Sequence, residues 1–181
     1  MTTWSHIARR IRVPLGFVFA ALYLWLAHPM WLSIAIGGSI AFAGVAVRAV
    51  ASGHISKNSQ LTMSGPYAYT RNPLYLGSIV IAAGFAVAAR SGWIVLALGV
   101  LFVAIYIPVI RSEEAFLRSR FPQFEAYARA VPRLLPRFRN PSATAGSFSR
   151  ELYRQHREYN ALFGTAAMLA ALAARLLWAG R

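Results

Sequence analysis

Two short stretches of this sequence carry most of the side chains that could bind a ligand. The first is a run that contains turn residues, three tyrosines and one arginine: Gly65-Pro66-Tyr67-Ala68-Tyr69-Thr70-Arg71-Asn72-Pro73-Leu74-Tyr75-Leu76-Gly77. A proline at the first position of a helix loses no hydrogen bond, so we expect a helix to begin at Pro73 with Asn72 as its N-cap. Arg71 and Asn72 would then stand at the positive end of that helix, which favours an anion such as a carboxylate.

The second stretch is a pair of adjacent carboxylates, Glu113 and Glu114, in a chain of net charge +14. One interpretation is a surface pair that is neutralised by Arg111, Arg118 or Arg120. The other is a pair that binds the polar groups of a ligand. The chain has no cysteine, which excludes disulfides and thiol nucleophiles. Its histidines and glutamates show no spacing typical of a metal site, so we expect no metal.

The segments that must position these residues are typical of membrane-spanning helices. Hydrophobic residues make up 57% of the chain and charged residues 13%, whereas soluble domains have about 45–50% and about 25%. A spanning helix needs about 20 mostly apolar residues, and five segments meet or approach that length: 13–27, 31–50, 74–89, 93–110 and 161–179. We therefore predict an all-α, polytopic membrane helix bundle of about five transmembrane helices in the lipid bilayer.

Positive charge is concentrated on one predicted side of the membrane. Three arginines precede the first span and ten lie between residues 111 and 158, whereas the loops on the other side contain only Arg90. The positive-inside rule then predicts a cytoplasmic N-terminus and a C-terminus on the opposite side, in the inner membrane if the cell is bacterial. This orientation accounts for the basic character, so we expect no nucleic acid partner. The first apolar run lacks a convincing cleavage site and is expected to be retained.

The region between the fourth and fifth spans is predicted to be a cytoplasmic amphipathic helical segment that breaks at Phe121–Pro122. Within the fourth span, Pro108 would leave the carbonyl of Ala104 without its usual partner and kink the helix. Arg48 and Arg175 lie near helix ends and could extend to the lipid head groups. For Arg48 the alternative is a position facing a cavity inside the bundle.

The two stretches together resemble the isoprenylcysteine carboxyl methyltransferase family, and phospholipid N-methyltransferases carry a similar pattern. After the first stretch, the resemblance continues through Glu113-Glu114-x-x-Leu117 and Phe121-x-x-Phe124-x-x-Tyr127 to Val131-x-Arg133-x-x-Pro136. The family usually has histidine where this chain has Asn72. Asparagine can form hydrogen bonds but does not titrate near neutral pH, so we expect a binding role there and no general base.

We treat residues 1–181 as a single membrane methyltransferase domain. Its motif-bearing core covers residues 48–137, a cytoplasmic linker covers 138–160, and an additional C-terminal helix covers 161–179. The oligomeric state is left open.

The resemblance implies an S-adenosylmethionine-dependent methyltransferase that acts on a lipophilic small molecule or a lipidated substrate at the cytoplasmic face. Together with His54 of the motif loop, the residues expected to bind the cofactor are Tyr67, Arg71, Asn72, Pro73, Tyr75, Leu76, Gly77, Glu113, Glu114 and Tyr127. Catalytic roles are expected on the acceptor side. A carboxylate acceptor would pair with Arg133 or Arg48, whereas Glu114 could help to remove a proton from an amine acceptor.

Two other functions are compatible with a helical membrane protein of this kind. One is a membrane reductase of related topology that uses NADPH, a larger cofactor with an additional phosphate. The other is a non-catalytic scaffold or small transporter. Transporters often contain inverted repeats with broken helices in both halves, and no such repeat is visible in this sequence.

Overall fold

The structure is a computed structural model that describes residues 18–55, 60–137 and 146–179, and these residues form helices and connecting segments without any strand. Helix α1 is described from residue 18 to residue 26. The longer helices are α2 (Trp31–Ser52), α3 (Pro73–Ala89), α4 (Gly92–Arg120) and α7 (Tyr159–Ala179). Shorter helices are α5 (Phe124–Ala130), α6 (Arg150–Gln155) and a 3-10 turn at Gly65–Ala68.

The prediction of an all-helical membrane bundle is confirmed. Helices α2, α4 and α7 are long and apolar enough to cross a bilayer, with 22, 29 and 20 residues in their candidate spans. Helix α3 is a shorter apolar helix of 17 residues, at the lower end of the usual range. The start of the first predicted span, residues 13–17, lies outside the described residues.

Helices α2 and α3 pack against each other through glycines. A Cβ atom added to Gly37 would lie 2.4 Å from the carbonyl oxygen of Gly84, and one added to Gly44 would lie 2.7 Å from that of Gly77. Because these positions lack side chains, the two backbones touch directly, as is common between helices in lipid. This close approach holds Arg48, one turn beyond Gly44, against the first turns of α3.

Helix α7 packs against α2 and contacts the end of α1. Leu169 and Leu172 pack in one core with Tyr23 and Ala27. Arg175 donates hydrogen bonds to the carbonyl oxygens at the end of α1, including that of Ala27 at 2.6 Å. The expectation that Arg175 extends to the head groups is therefore wrong. Carbonyls at a helix end have no partner within the helix, and the partly buried guanidinium binds those at the end of α1.

Helix α4 contains the irregularity expected from Pro108, but the helix continues through it. Phe102–Tyr106 form a π-helical segment, in which the backbone N–H of Ile107 donates to the carbonyl of Phe102. Such a segment absorbs one extra residue and accommodates the missing donor of the proline. The break at Phe121–Pro122 is present, since α4 ends at Arg120 and α5 begins at Phe124.

The C-terminal part differs slightly from the predicted division. Helix α7 begins at Tyr159, two residues before the predicted start of the last span. The predicted linker contains α6 at Arg150–Gln155, and its residues 138–145 lie outside the described part of the chain.

Candidate functional site

A cavity of about 530 Å³ lies where the end of α2, the beginning of α3, the C-terminal half of α4 and the turn just before α7 meet. This volume is within the range of small-molecule sites, roughly 300–1,000 Å³. Eight of the residues predicted from the sequence line it: Arg48, Tyr67, Arg71, Asn72, Pro73, Tyr75, Glu113 and Tyr127. The motif loop and the first turn of α3 therefore form one wall of the cavity, as expected for a binding site.

Glu114 lies behind this wall and holds two arginines. Its side chain is only 4% exposed, and its carboxylate lies 3.2 Å from a terminal nitrogen of Arg71 and 2.7 Å from one of Arg133. A buried carboxylate needs such partners, because burial without them is strongly unfavourable. The interpretation of Glu114 as part of a surface pair with Arg111, Arg118 or Arg120 is wrong. The hydrogen bond that Arg133 donates to Glu114 raises the pKa of the Arg133 guanidinium.

Asn72 occupies the N-cap position of α3, but its side chain does not cap the helix. The amide instead donates to the carbonyl oxygen of Arg133 at 3.0 Å and lies 3.5 Å from Glu114 Oε1. The predicted position is thus correct, whereas the predicted capping bond is replaced by contacts to the segment that follows α5. Asn72 therefore joins the motif loop to that segment.

Glu113 has different surroundings from its neighbour Glu114. Glu113 accepts a hydrogen bond of 2.9 Å from the hydroxyl of Tyr75, and both residues line the cavity. The ring of Tyr75 packs edge to face against that of Tyr106, with 5.6 Å between centroids. Since successive residues of a helix point about 100° apart, one glutamate faces the cavity and the other supports its wall.

The segment after α5 lies against the motif loop and closes the site on that side. The backbone N–H of Arg71 donates to Pro132 at 2.9 Å, and that of Arg137 donates to Tyr69 at 2.9 Å. The hydroxyl of Tyr127 donates to the carbonyl of Tyr67 at 2.7 Å. Burial raises the pKa of both phenols, so Tyr67 and Tyr127 remain hydrogen-bond donors at neutral pH.

Two buried polar atoms in the cavity wall have no hydrogen-bond partner in the part of the chain that the structure describes. They are the hydroxyl oxygen of Tyr67 and Nε of Arg71. Leaving such groups unsatisfied costs roughly 1–3 kcal/mol each, and more for a charged group. Both belong to cavity-lining side chains, but the two atoms are themselves closed off from solvent, so a ligand would reach them only after the side chains move.

Arg48 faces the cavity. Of its two predicted orientations, toward the head groups or toward a cavity inside the bundle, the structure has the second. Its guanidinium forms a two-pronged pair with Glu158, with nitrogen–oxygen distances of 2.9 and 2.8 Å. The remaining terminal nitrogen donates to Ser78 Oγ at 2.5 Å. Sequence reasoning missed Glu158, which lines the cavity from the turn just before α7. The available signal was weak, a single carboxylate among arginines just before the last span.

The remaining predicted residues are not among the described lining residues. His54 has its ring nitrogens 2.8 Å from the carbonyl of Val50 and 3.1 Å from that of Gly146. Gly77 packs against Arg48. Leu76 is half-buried in the first turn of α3. Glu114 and Arg133 support the wall from behind. Over the described ranges, no group of three or more histidines and glutamates could hold a metal ion.

Two relatives match a large part of this chain. The chain is 35% identical over 137 residues to the cobalt-zinc-cadmium resistance protein CzcN of Cupriavidus metallidurans, a match covering 70% of this chain and 62% of that protein. It is 37% identical over 102 residues to the nickel-cobalt-cadmium resistance protein NccN of Alcaligenes xylosoxydans xylosoxydans, covering 53% of this chain and 48% of that protein. The chain thus spans about half to three fifths of the length of these relatives.

No solved structure matches the chain significantly. The sequence profile of the phospholipid methyltransferase family matches residues 15–123, which include the motif loop, helix α3 and both glutamates of the pair. The match covers more than half of the chain, and the chain therefore belongs to the phospholipid methyltransferase family.

Proposed function

We propose that this protein transfers a methyl group from S-adenosylmethionine to a lipophilic acceptor at the cytoplasmic face of the membrane. Membership of the phospholipid methyltransferase family supports methyl transfer to a lipophilic substrate at the membrane. The observation that carries the proposal for the cofactor is that both a guanidinium, that of Arg71, and a carboxylate, that of Glu113, belong to the lining of one cavity. A guanidinium suits the carboxylate of an amino acid.

The other lining residues suit the remaining groups of this cofactor, which when bound supplies an electrophilic methyl group on a sulfonium sulfur. The carboxylate of Glu113 suits an ammonium or ribose hydroxyls, and Tyr75 holds it in place. The rings of Tyr106, Phe116 and Phe121 line the same cavity and suit an adenine ring or a sulfonium, since aromatic faces attract cations. The residues present therefore fit the cofactor.

Glu114 and Arg133 are proposed as positioning residues. The sequence suggested direct roles for both on the acceptor side. In the structure Glu114 is buried between Arg71 and Arg133, and it contacts Asn72. These contacts favour a role in holding Arg71 and Asn72 at the cavity wall, because preorganised groups lose less freedom when a ligand binds.

The chain needs few polar groups to promote an in-line displacement. Such a reaction depends on aligning the nucleophile with the methyl carbon and on excluding water. The aromatic side chains of the cavity supply the apolar enclosure, and a lipophilic acceptor would enter it from the bilayer. The cavity lies at the ends of α2 and α4 that adjoin the arginine-rich segment, which supports a cytoplasmic location by the positive-inside rule.

The test is binding of S-adenosylmethionine to the detergent-purified protein by calorimetry. We expect saturable binding that Arg71→Ala weakens by about a hundredfold, because a charge-assisted contact is worth roughly 1.5–3 kcal/mol. Arg118→Ala is the matched control, since Arg118 is exposed and pairs with Glu125 outside the cavity. Circular dichroism verifies that each variant is helical. Absence of binding by the folded protein would contradict the proposal, and binding of NADPH in its place would favour a reductase.

A further inference from the structure

The segment that closes the site, residues 132–137, has two different faces, and we call it the closing segment. Exposure alternates from one residue to the next along it. Successive side chains of an extended chain point to opposite sides, so this alternation separates an inward face from an outward face. The outward face consists of Arg133, Leu135 and Arg137, which are all exposed.

The inward side of the closing segment is bonded to the motif loop. The backbone N–H of Arg71 donates to Pro132 at 2.9 Å, and the amide of Asn72 donates to the carbonyl oxygen of Arg133 at 3.0 Å. At the other end of the segment, the N–H of Arg137 donates to the motif loop at 2.9 Å. Since Arg71 and Asn72 both line the cavity, the position of the closing segment determines that of the cavity wall.

The outward face combines an unburied apolar side chain with positive charge. Leu135 is 80% exposed, so it buries almost nothing against the protein. Arg133 and Arg137 lie on either side of it, and Arg137 forms no ion pair with any described residue. An apolar side chain between arginines suits the boundary of an anionic membrane, where the leucine enters the hydrocarbon and the guanidinium groups meet phosphates.

The closing segment lies at the level where lipid head groups are found. Helix α3 is an apolar helix that begins at Pro73, so the motif residues just before it lie at the border of the hydrocarbon region. The closing segment is bonded to those residues. Between residues 111 and 158 the chain has ten arginines and five glutamates, and this excess of positive charge is complementary to anionic lipid.

We propose that the outward face of the closing segment binds the anionic head groups of the bilayer, and that this contact holds Arg71 and Asn72 at the cavity wall. The surface is a regulatory lipid site outside the cavity, distinct from the place of the methyl acceptor. Its effect on the cofactor rests on the proposed function, whereas its effect on the closing segment does not.

The test is hydrogen–deuterium exchange of the cofactor-free protein in lipid nanodiscs. The discs contain phosphatidylcholine alone or an equal mixture with phosphatidylglycerol, which is anionic. We expect the amides of Arg71 and Arg137 to exchange about fivefold more slowly in the mixture, which is the effect of one basic residue near an anionic surface. The amide of His156 is the internal reference, because it is bonded to Leu152 and not to the closing segment.

Two variants remove the outward face without removing the backbone bonds. Arg137→Gln and Leu135→Gln should each lose most of the response to phosphatidylglycerol. Arg120→Gln is the matched control, because it removes one exposed arginine from the end of α4 and leaves the closing segment intact. High salt should also abolish the response of the wild-type protein, since salt screens exposed charges.

Equal exchange of the wild-type protein in the two kinds of disc would overturn the proposal, as would equal responses of Arg137→Gln and Arg120→Gln. The same slowing by heparin, a soluble polyanion, in discs of phosphatidylcholine alone would overturn the assignment to lipid and favour a soluble acidic partner.

The effect on the cofactor is measured separately. The Kd of S-adenosylmethionine should be about fivefold lower in the mixed discs, because the same contact holds the cavity wall. An unchanged Kd would overturn the link between the lipid and the cavity. If S-adenosylmethionine does not bind but exchange still follows the anionic lipid, the lipid site stands and only the proposed function fails.

Discussion

At the scale of single residues, Glu114 is the side chain on which the geometry of the site depends most. It is a nearly fully buried carboxylate that contacts Arg71 from the motif loop and Arg133 from the segment after α5. Through Asn72 it also contacts the beginning of α3. Three parts of the chain are thus joined at one charge, so removal of that charge should affect all three.

Glu114→Gln should destabilise the protein and weaken cofactor binding. It leaves Arg71 without its carboxylate, and removing one partner of a buried pair costs about 3–5 kcal/mol. We expect about 2 kcal/mol here, because Arg133 is half exposed and is partly stabilised by water. The melting temperature in detergent and the Kd of S-adenosylmethionine are the two readouts.

Glu125→Gln is the control for Glu114→Gln. Glu125 is exposed and pairs with Arg118, whose hydrogen bond lowers the pKa of that carboxyl. Exposed ion pairs contribute little to stability, so neither readout should change. Equal effects of the two substitutions would contradict the positioning role of Glu114.

At the scale of the elements, the glycine contacts between α2 and α3 set the position of Arg48 relative to the motif loop. A Cβ atom on Gly77 would lie 2.6 Å from Cγ of Arg48 and 2.8 Å from the carbonyl oxygen of Gly44. The neighbouring atoms are partly backbone, so the helices would have to separate. The cavity wall spans this contact, because Arg48 lies on α2 and Tyr75 on α3.

Gly77→Ala should therefore destabilise the protein by about 1–3 kcal/mol, as overpacking does, and should also weaken cofactor binding. Gly99→Ala is the matched control, since a Cβ atom there meets nothing within 4 Å. It should be neutral or stabilising by up to about 1 kcal/mol, because alanine favours a helix over glycine. Thermal unfolding of both variants in the same detergent compares them directly, and a neutral Gly77→Ala would show that the two helices can separate without cost.

At the scale of the whole molecule, the cavity and the exposed arginines of α4 lie at the same end of the bundle. The cavity lies near the end of α2 and the beginnings of α3 and α7. The exposed arginines Arg111, Arg118 and Arg120 follow the apolar part of α4 at that end. This agreement is the basis for the proposed cytoplasmic location of the site.

The orientation can be measured cleanly, because the chain contains no cysteine. Gly92→Cys and Ser119→Cys introduce single thiols at exposed positions near the two ends of α4. Gly92→Cys should react with a membrane-impermeant maleimide in intact cells, whereas Ser119→Cys should react only after permeabilisation. The reverse pattern would place the cavity on the outer face and would contradict the proposed location. Labelling of both thiols in denatured membranes controls for their reactivity.

The sequence by itself determined the features that depend on local chemistry. Hydrophobic segments of sufficient length predicted the helical spans, the pair Phe121–Pro122 predicted the end of α4, and the Pro73 motif predicted the start of α3. The motif also predicted the family, because its spacing is carried by a continuous part of the chain. These features follow from hydrophobicity, proline geometry and residue order, which need no knowledge of distant contacts.

Only the tertiary structure decided which charges meet. Glu114 contacts Arg71, 43 positions earlier, and not the arginines near it in sequence, while Glu158 contacts Arg48 across 110 positions. His54 belongs to the motif loop by sequence but packs against residues 146–148 instead of lining the cavity. Such pairs depend on how closely α2 and α3 approach and on where α7 returns to the bundle. A one-dimensional pattern does not contain those distances, because packing between whole helices sets them.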